Sequence, residues 1–240
     1  MSETLFVSDV HLDMKRSTIV DLFNQFLLNR AINADALYIL GDLFEYWIGD
    51  DAPYQEYQST FKALKSVTEN NVPTYFLHGN RDFLVAQRFA KQTGITLLHE
   101  EHVTNIYKHK ILLMHGDTLC TDDIAYQKFR KKTHNKFLQW LTLRLPVSTR
   151  ENLARKLRNT SKQAISEKSE DIMDVNQQAV EDTLLRNDTY FLIHGHTHRP
   201  NIHEFSLKQQ ECKRIVLGDW YTQGSVLTIS PSKINLESFS

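Results

Sequence analysis

Residues 36–46, Ala-Leu-Tyr-Ile-Leu-Gly-Asp-Leu-Phe-Glu-Tyr, combine a short apolar run with a glycine and a carboxylate directly after it. Runs of this length, rich in β-branched and aromatic residues, are typical of strands buried on both faces. Similar runs recur along the chain at Leu5–Val7, Leu37–Leu40, Thr74–Leu77, Ile111–Met114, Tyr190–Ile193, Ile215–Leu217 and Val226–Ile229. Helical patterns at Ile19–Asn29 and Tyr57–Glu69 separate the early runs, and this alternation predicts an α/β protein.

Potential metal ligands follow five of these strands, in most cases beside a glycine. They occur in Asp9-Val10-His11, Gly41-Asp42, His78-Gly79-Asn80-Arg81-Asp82, His115-Gly116-Asp117 and His194-Gly195-His196-Thr197-His198. Because open α/β sheets bind ligands at the carboxyl ends of their strands, we expect these groups to converge on one crevice. Asp, His and Asn without cysteine suit Mn²⁺, Fe, Zn²⁺ or Co²⁺.

The backbone around these ligands supports two further expectations. In Asp9-x-His11 and His196-x-His198, an extended backbone would point both side chains to the same side. The neighbouring glycines allow the backbone to approach a bound ion closely. His78 and His194 either orient the adjacent ligands or are buried without such a role.

The five blocks together resemble the signature motifs of the calcineurin-like metallophosphoesterases. This resemblance implies a two-sheet β-sandwich flanked by helices, with a helical insertion. It also implies two metal sites, one formed by Asp9, His11, Asp42 and His198, and the other by Asp42, Asn80, His115 and His196. Asp42 would bridge the two ions, which in such a site activate a water and stabilise the attacking and leaving oxygens.

Arg81 departs from the general pattern of the family, in which a histidine follows the asparagine of the third block. Arginine cannot act as a general acid near neutral pH, but its planar fork can hold phosphate oxygens. A phosphate monoester that leaves from a pyrophosphate needs no donated proton, whereas an alkoxide does. The arginine therefore favours cleavage of a pyrophosphate over that of a phosphomonoester.

Longer stretches resemble one branch of this family, which acts in the lipid A pathway of Gram-negative bacteria. They are residues 41–51, 78–84, 115–123, 171–176 and 195–200, and the similarity extends over nearly the whole chain. The resemblance implies hydrolysis of the pyrophosphate bond of UDP-2,3-diacylglucosamine by water attack on the α-phosphorus, with Mn²⁺ as the metal. The products would be UMP and 2,3-diacylglucosamine 1-phosphate. Matching positions imply catalytic roles for Asn80, Arg81 and His196, and substrate contacts by Asn80, Arg81, Asp123, Ser161, Ile165, Lys168 and His196.

The pattern is helical from Cys120 to Leu185, and we interpret about 122–185 as a helical insertion within a single domain of residues 1–240. Between Lys128 and Lys168 there are twelve Lys and Arg but only two acids, a local charge of +10. An apolar segment runs from Phe137 to Leu145, and Pro146 should end its helix. A basic amphipathic cap suits acyl chains and an anionic membrane surface. The alternative is a helix packed on the sheet, with its cations solvated.

Composition limits the remaining possibilities. The net charge of −1 gives no indication of nucleic-acid binding, and the two cysteines have no metal or redox spacing. The sequence shows neither a signal peptide nor an apolar run long enough to span a bilayer. We therefore expect a cytoplasmic or peripheral protein, and the resemblance implies a position on the cytoplasmic face of the inner membrane. We also expect a monomer. Two other functions stay open, a phosphoesterase for soluble nucleotides or phosphoproteins and a non-catalytic interaction module.

Overall fold

The computed structural model describes residues 2–166 and 174–240, with side chains for all of these except 161–166. Its strands form two sheets. The first has the order β11-β10-β1-β2-β3-β4 and the second the order β5-β6-β7-β9-β8. The strands are β1 (Thr4–Val7), β2 (Ala36–Leu40), β3 (Thr74–Leu77), β4 (Thr96–Leu97), β5 (His102–Ile106), β6 (His109–Leu113), β7 (Phe191–His194), β8 (Asn201–Leu207), β9 (Gln210–Val216), β10 (Gly224–Ile229) and β11 (Ile234–Phe239).

Helices cover the outer faces of both sheets. They are α1 (Ser17–Asn29), α2 (Gln58–Glu69), α3 (Gln87–Thr93), α4 (Ile124–Thr133), α5 (Lys136–Leu143), α6 (Val147–Ser166) and α7 (Gln177–Arg186). The helices α1, α2 and α3 pack on the first sheet, and α7 packs on the second. A separate apolar layer lies between the sheets, where Phe6, Leu40 and Leu77 meet Leu113, Ile193 and Ile215. The predicted sandwich flanked by helices is confirmed.

All seven strands and both helices predicted from apolar periodicity are present, with ends that differ by a few residues. Four strands were not predicted, namely β4, β5, β8 and β11. Each of these lies at the edge of a sheet. Edge strands bury one face at most, so their sequences alternate with exposed polar residues, and β4 has only two residues.

The segment predicted as an insertion has two different environments. Every side chain of α4 and α5 is at least partly exposed. By contrast, α7 buries Val180 and Leu184 against Leu112 and Leu192 of the second sheet. The alternative of a helix packed on the sheet therefore describes α7 but not the apolar helix α5. As predicted, α5 ends before Pro146.

Candidate metal centre

The seven predicted metal ligands come from the carboxyl ends of five strands and lie in one site. The strand β1 leads to Asp9 and His11, β2 to Asp42, β3 to Asn80, β6 to His115, and β7 to His196 and His198. Because β1, β2 and β3 are parallel neighbours in one sheet and β6 and β7 are parallel neighbours in the other, their carboxyl ends open toward the same edge of the sandwich.

Two groups of ligand atoms can each surround a cation. Asp9, His11 and His198 form one group, and Asp9, Asp42 and His115 form another, with the atoms of each group within 4.8 Å of one another. The carboxylate of Asp42 lies between the two groups, because its Oδ2 is 3.7 Å from His11 Nε2 and 3.8 Å from His115 Nε2. This position fits the bridging role expected of Asp42.

Asn80 completes the second group. Its Oδ1 is 3.0 Å from His115 Nε2 and 3.1 Å from His196 Nδ1. Three potential ligand atoms thus converge on one point, where a cation would replace the protons that now join them.

Five of the seven candidate ligands have a left-handed backbone. The φ angles are 53° at Asp9, 49° at His11, 53° at Asp42, 70° at His196 and 55° at His198. The extended backbone considered for Asp9-x-His11 and His196-x-His198 is therefore wrong, because the chain turns sharply at each pair after its strand. Non-glycine residues rarely adopt this conformation, and such strain typically marks functional sites.

Gly79 and Gly195 let these turns approach one another. A Cβ at Gly79 would lie 2.1 Å from Asp42 Oδ1, and one at Gly195 would lie 2.3 Å from Asp9 Oδ2. Any side chain at either position would displace a candidate ligand. The glycines thus permit the close approach that the sequence predicted.

The electrostatics of the site favour a bound cation. Burial, together with Asp82 and Asp9, raises the pKa of Asp42 to about 8. Burial alone would lower the pKa of His115, but Asp42 and Asp9 outweigh it and raise that pKa to about 9. Both shifts favour the protonated forms in the metal-free site, and binding of a divalent ion releases such protons. The buried donor set fits a divalent metal.

Polar groups lie behind the rings of three candidate ligands, and one of them makes a hydrogen bond. His115 Nδ1 donates to the carbonyl of Leu40 at 2.9 Å, and Asp219 Oδ2 is 3.5 Å from His198 Nδ1. Behind His11, Oε2 of the buried Glu45 is the nearby carboxylate, 3.8 Å from Nδ1. Such outer contacts fix the tautomer and the direction of metal-binding histidines.

Two of these outer residues were not predicted, although the sequence carried a signal for them. Asp219 follows Gly218 directly after the predicted strand Ile215–Leu217, which repeats the strand–Gly–Asp pattern of Gly41-Asp42. Glu45 lies three residues after Asp42 in the first motif considered. Tyr221, in the same loop as Asp219, stacks on His11 with ring centroids 5.4 Å apart.

Asp82 is a third residue without a predicted role. Its buried carboxylate accepts hydrogen bonds from the backbone N–H groups of Gly79, Asp42, Leu43 and Phe44 at 2.9, 3.3, 2.7 and 3.4 Å. One side chain thus ties the loop after β2 to the loop after β3.

His78 and His194 contact backbone rather than the side chains of ligands. His78 Nε2 donates to the carbonyl of Val85 at 2.7 Å, and His194 Nδ1 donates to that of Gly195 at 2.8 Å. His194 also accepts from Arg214 at 3.2 Å. Both histidines therefore shape the loops that carry the candidate ligands.

A cavity of about 580 Å³ lies beside the candidate metal ligands and is bordered by two of the predicted substrate-binding residues. Asn80 and Arg81 border it, and Tyr126, Phe129, Leu138 and Leu153 supply much of its wall from α4, α5 and α6. Asp123 caps α4 by accepting from Tyr126 N–H at 2.9 Å, and His196 packs beside the ring of Tyr126. The side chains of Ser161 and Ile165, and Lys168 as a whole, lie outside the described residues.

A model of the calcineurin-like phosphoesterase family matches residues 3–200, so the chain belongs to that family. It is a class of metal-dependent hydrolases, in keeping with the site. Among curated relatives, the chain is 51% identical to the UDP-2,3-diacylglucosamine hydrolase of Yersinia pseudotuberculosis serotype O:1b (strain IP 31758) over 236 residues, which cover 98% of each chain. It is 50% identical to the enzyme of that name from Serratia proteamaculans (strain 568), again with 98% of each chain covered.

Proposed function

We propose that this protein hydrolyses the pyrophosphate bond of UDP-2,3-diacylglucosamine to UMP and 2,3-diacylglucosamine 1-phosphate in lipid A biosynthesis. The observation that carries the proposal is the position of the candidate metal centre at the mouth of an apolar cavity under α4, α5 and α6. A pyrophosphate joined to two acyl chains needs both features side by side. The identity of about half the residues with hydrolases of that name supports the same substrate.

Asp9, His11, Asp42 and His198 would hold one divalent ion, and Asp42, Asn80, His115 and His196 the other. We propose Mn²⁺ at both positions. Two ions held in this way supply an activated water and stabilise charge on the attacking and leaving oxygens. The chain itself orients the ligands through Leu40, Asp219 and Glu45, and excludes water with the buried walls of the site.

Arg81 would bind the pyrophosphate. Its side chain borders the cavity next to Asn80, and its buried Nε has no hydrogen-bond acceptor among the described residues. A buried guanidinium N–H without an acceptor is costly, and a phosphate oxygen would satisfy it. Asn80 and His196 would contact the same phosphoryl oxygens from the other side of the site.

The apolar wall of the cavity supports a lipid rather than a soluble substrate. Leu138, Leu153 and Leu157 line the cavity, and Phe129 extends it along α4. Acyl chains bury apolar surface in such a groove at about 25 cal/mol per Å². A soluble nucleotide or a phosphoprotein would leave this surface facing water.

We propose that α4, α5 and α6 also contact the anionic surface of the inner membrane from the cytoplasmic side. Many large apolar side chains of these helices are exposed, including Ile124, Phe137, Trp140, Leu141, Leu143 and Leu145. Arg144 lies over the ring of Trp140, 4.0 Å from its centroid, and so brings a cation to the same surface. None of the helices in the described part of the chain has the length and apolarity needed to cross a bilayer.

Not all cations of the segment are available for that contact. Arg130 pairs with Asp117 at 2.6 Å, Arg158 pairs with Glu45 at 2.7 Å, and the buried Arg150 pairs with Asp51. The charge of +10 counted in the sequence therefore overstates the charge that faces a membrane. The remaining lysines and Arg144 suffice, since each contributes roughly 1 kcal/mol near an anionic surface.

The test is release of UMP from UDP-2,3-diacylglucosamine by metal-stripped protein, before and after addition of Mn²⁺. We expect UMP only after metal is restored. UDP-N-acetylglucosamine, which shares the pyrophosphate but lacks both acyl chains, should be hydrolysed at least about tenfold more slowly, because it gains nothing from the apolar cavity. Equal rates on both substrates would exclude a role for the cavity in substrate choice.

A further inference from the structure

Arg158 of α6 is connected to the candidate metal centre through one buried carboxylate. Its Nε lies 2.7 Å from Glu45 Oε1, and its Nη2 is 3.1 Å from Asp13 Oδ2. The other oxygen of Glu45 is 3.8 Å from Nδ1 of His11. Only 5% of the Glu45 side chain is exposed, so its charge is held in place by these neighbours.

The Nδ1 atom of His11 faces the carboxylate of Glu45. His11 Nδ1 is buried and has no hydrogen-bond partner among the described residues. If Nε2 binds a metal, Nδ1 carries a proton that needs an acceptor, and Glu45 Oε2 is the carboxylate oxygen closest to it at 3.8 Å. Glu45 would need to approach by at least about 0.6 Å to accept that proton, since such hydrogen bonds are at most about 3.2 Å long.

Two arginines and the His11 ring face Glu45, and they come from different parts of the chain. Arg16 Nη2 is 3.8 Å from Oε2 and also donates to the backbone carbonyl of His11. The imidazole of His11 approaches the same oxygen, and Arg158 pairs with Oε1. Arg158 is the only one of the three that lies on a helix covering the cavity.

We infer that Arg158 is a positioning residue that couples the docking of α6 to metal binding at His11. When α6 is docked, Arg158 holds Glu45 beside His11, from where a small approach of the carboxylate on metal binding would let it accept the Nδ1 proton. When α6 moves away, Glu45 loses its strongest partner and the His11 ring is less well oriented. The coupling is reciprocal, so bound metal should also stabilise the docked position of α6. This inference rests on the metal centre of the proposed function but not on its substrate.

Arg150 provides a matched control on the same helix. It pairs with Asp51 through Nη1 at 2.8 Å and donates from Nε to the carbonyl of Leu145 at 3.0 Å. Like Arg158 it borders the cavity and ties α6 to the loop after β2. Asp51, however, is not in contact with a candidate metal ligand. Arg150→Gln therefore removes one tie of α6 while Arg158 keeps α6 docked through its pair with Glu45, so His11 should not be disturbed.

The experiment is calorimetric titration of metal-stripped protein with Mn²⁺, in the absence of substrate, for the unmodified chain, Arg158→Gln, Arg158→Lys and Arg150→Gln. Loss of an outer partner of a metal ligand typically lowers metal affinity about 10- to 100-fold. Arg158 contacts such a partner and not the ligand itself, so for Arg158→Gln we expect a smaller rise, of about five- to tenfold, in the Kd of the weaker site. Arg158→Lys keeps the charge and should recover part of the affinity. Arg150→Gln should stay within about twofold of the unmodified protein.

A double-substituted chain tests whether Arg158 acts through Glu45. Arg158→Gln should add less than about twofold to the Kd of a Glu45→Gln protein, because residues that act in series are not additive. Hydrogen exchange supplies the reciprocal measurement: Mn²⁺ should slow exchange of the amides at 147–160 in the unmodified chain, and less so in Arg158→Gln.

The outcomes separate the inference from the proposed function. An unchanged Kd in Arg158→Gln, or an equal rise in Arg150→Gln, overturns the positioning role of Arg158 while leaving the metal centre intact. Absence of Mn²⁺ binding by the unmodified chain overturns both. If Arg158→Gln fails to fold, as judged by circular dichroism, the comparison of Arg158→Lys with Arg150→Gln decides the matter by the same criteria.

Discussion

The backbone N–H of Arg81 donates a hydrogen bond of 2.8 Å to Oδ1 of Asp42. The loop that carries the candidate phosphate-binding arginine thus orients the carboxylate that lies between the two groups of metal ligands. This contact belongs to the backbone of Arg81, whereas the guanidinium points toward the cavity region. The metal-positioning and substrate-binding contributions of the residue can therefore be separated by substitution of its side chain.

Arg81→Ala should lower kcat by about 100-fold or more while leaving the metal content near normal. The backbone hydrogen bond to Asp42 survives the substitution, but a charge-assisted contact to the transferring phosphoryl group is lost. Metal content by mass spectrometry and UMP release from the lipid substrate measure the two effects. Arg81→Lys is the control for charge without the planar fork and should recover only part of the rate. Normal turnover in Arg81→Ala would remove the arginine from the proposed mechanism.

Asp42→Ala should abolish activity and also reduce the number of bound metals. The reason is that the Asp42 carboxylate lies within 4 Å of both His11 and His115, so both proposed ion positions lose a ligand. We expect less than about a tenth of the activity to remain, because loss of a shared ligand disturbs both ions. Asp35→Asn, at the start of β2 but remote from the site, is a suitable control. Retention of two metals per chain would contradict the bridging assignment.

Asp82→Asn should destabilise the fold and, with it, the metal site. The carboxylate accepts four backbone N–H groups, and the amide nitrogen of asparagine would face at least one of these donors. An unsatisfied buried donor costs about 1–3 kcal/mol, so we expect a loss of about 3 kcal/mol in the free energy of unfolding. Urea denaturation of the metal-free protein gives this number. A change below about 0.5 kcal/mol would mean that the two loops hold together without Asp82.

The sequence predicted the carboxyl ends of the central strands better than it predicted the strands at the sheet edges. Metal ligands had to follow buried strands, and those strands are continuous apolar runs, so both were recognisable together. The strands β5, β8 and β11 lie at sheet edges, where alternating polar residues hide the pattern. The backbone conformation at Asp9 and His196 was also beyond prediction, since Asp and His adopt a left-handed conformation more often than most residues but still only at a small minority of positions.

The outer contacts of the site depend on tertiary structure. Glu45 and Asp219 orient His11 and His198 from loops that are far apart in sequence, and only the packing of those loops brings them together. The basic residues of the insertion could be counted from the sequence, but the acids with which they pair could not be identified. Arg130, Arg150 and Arg158 pair with acids of the body, which the sequence alone could not distinguish from solvated cations.

Stability should decrease on acidification partly because of His134, at the end of α4. Burial lowers the pKa of His134 to about 4, and Arg130 adds to this effect. The unfolded chain binds a proton on this residue near pH 6.5, whereas the folded chain does so only near pH 4. The folded state is therefore progressively destabilised as the pH falls from 6.5 to 4.

His134→Gln removes this titration and should lose less stability than the unmodified protein between pH 7 and pH 5. After allowance for partial exposure of the ring, we expect a difference of about 1 kcal/mol. Urea denaturation of both metal-free proteins at the two pH values gives the comparison. His99→Gln, for which no such burial exists, serves as the control. Equal losses in the His134→Gln and unmodified proteins would show that the neutral form of His134 is not preferred.

The exposed apolar surface of α5 should be needed for the lipid substrate but not for the chemistry. Phe137, Trp140 and Leu141 are 65%, 50% and 49% exposed, and Phe137 stacks on Trp140 with centroids 5.9 Å apart. Replacing all three with Ser should weaken sedimentation with anionic vesicles by at least about tenfold, because each side chain contributes roughly 1 kcal/mol when half buried in lipid. Turnover of UDP-2,3-diacylglucosamine presented in such vesicles should fall in parallel. Binding of Mn²⁺ and slow hydrolysis of a small nucleotide diester should stay unchanged.

The matched control for this triple variant replaces Leu28, Val103 and Ile202 with Ser. These side chains are 47%, 36% and 38% exposed, but they lie on α1, β5 and β8 rather than on the helices that cover the cavity. The control should bind vesicles like the unmodified protein. High salt should weaken vesicle binding of the unmodified protein as well, since the screening length around the lysines beside α5 falls from about 8–10 Å near physiological salt to about 3 Å at 1 M. Equal loss of activity on the lipid and on the small diester would show that α5 stabilises the fold and does not recognise the membrane.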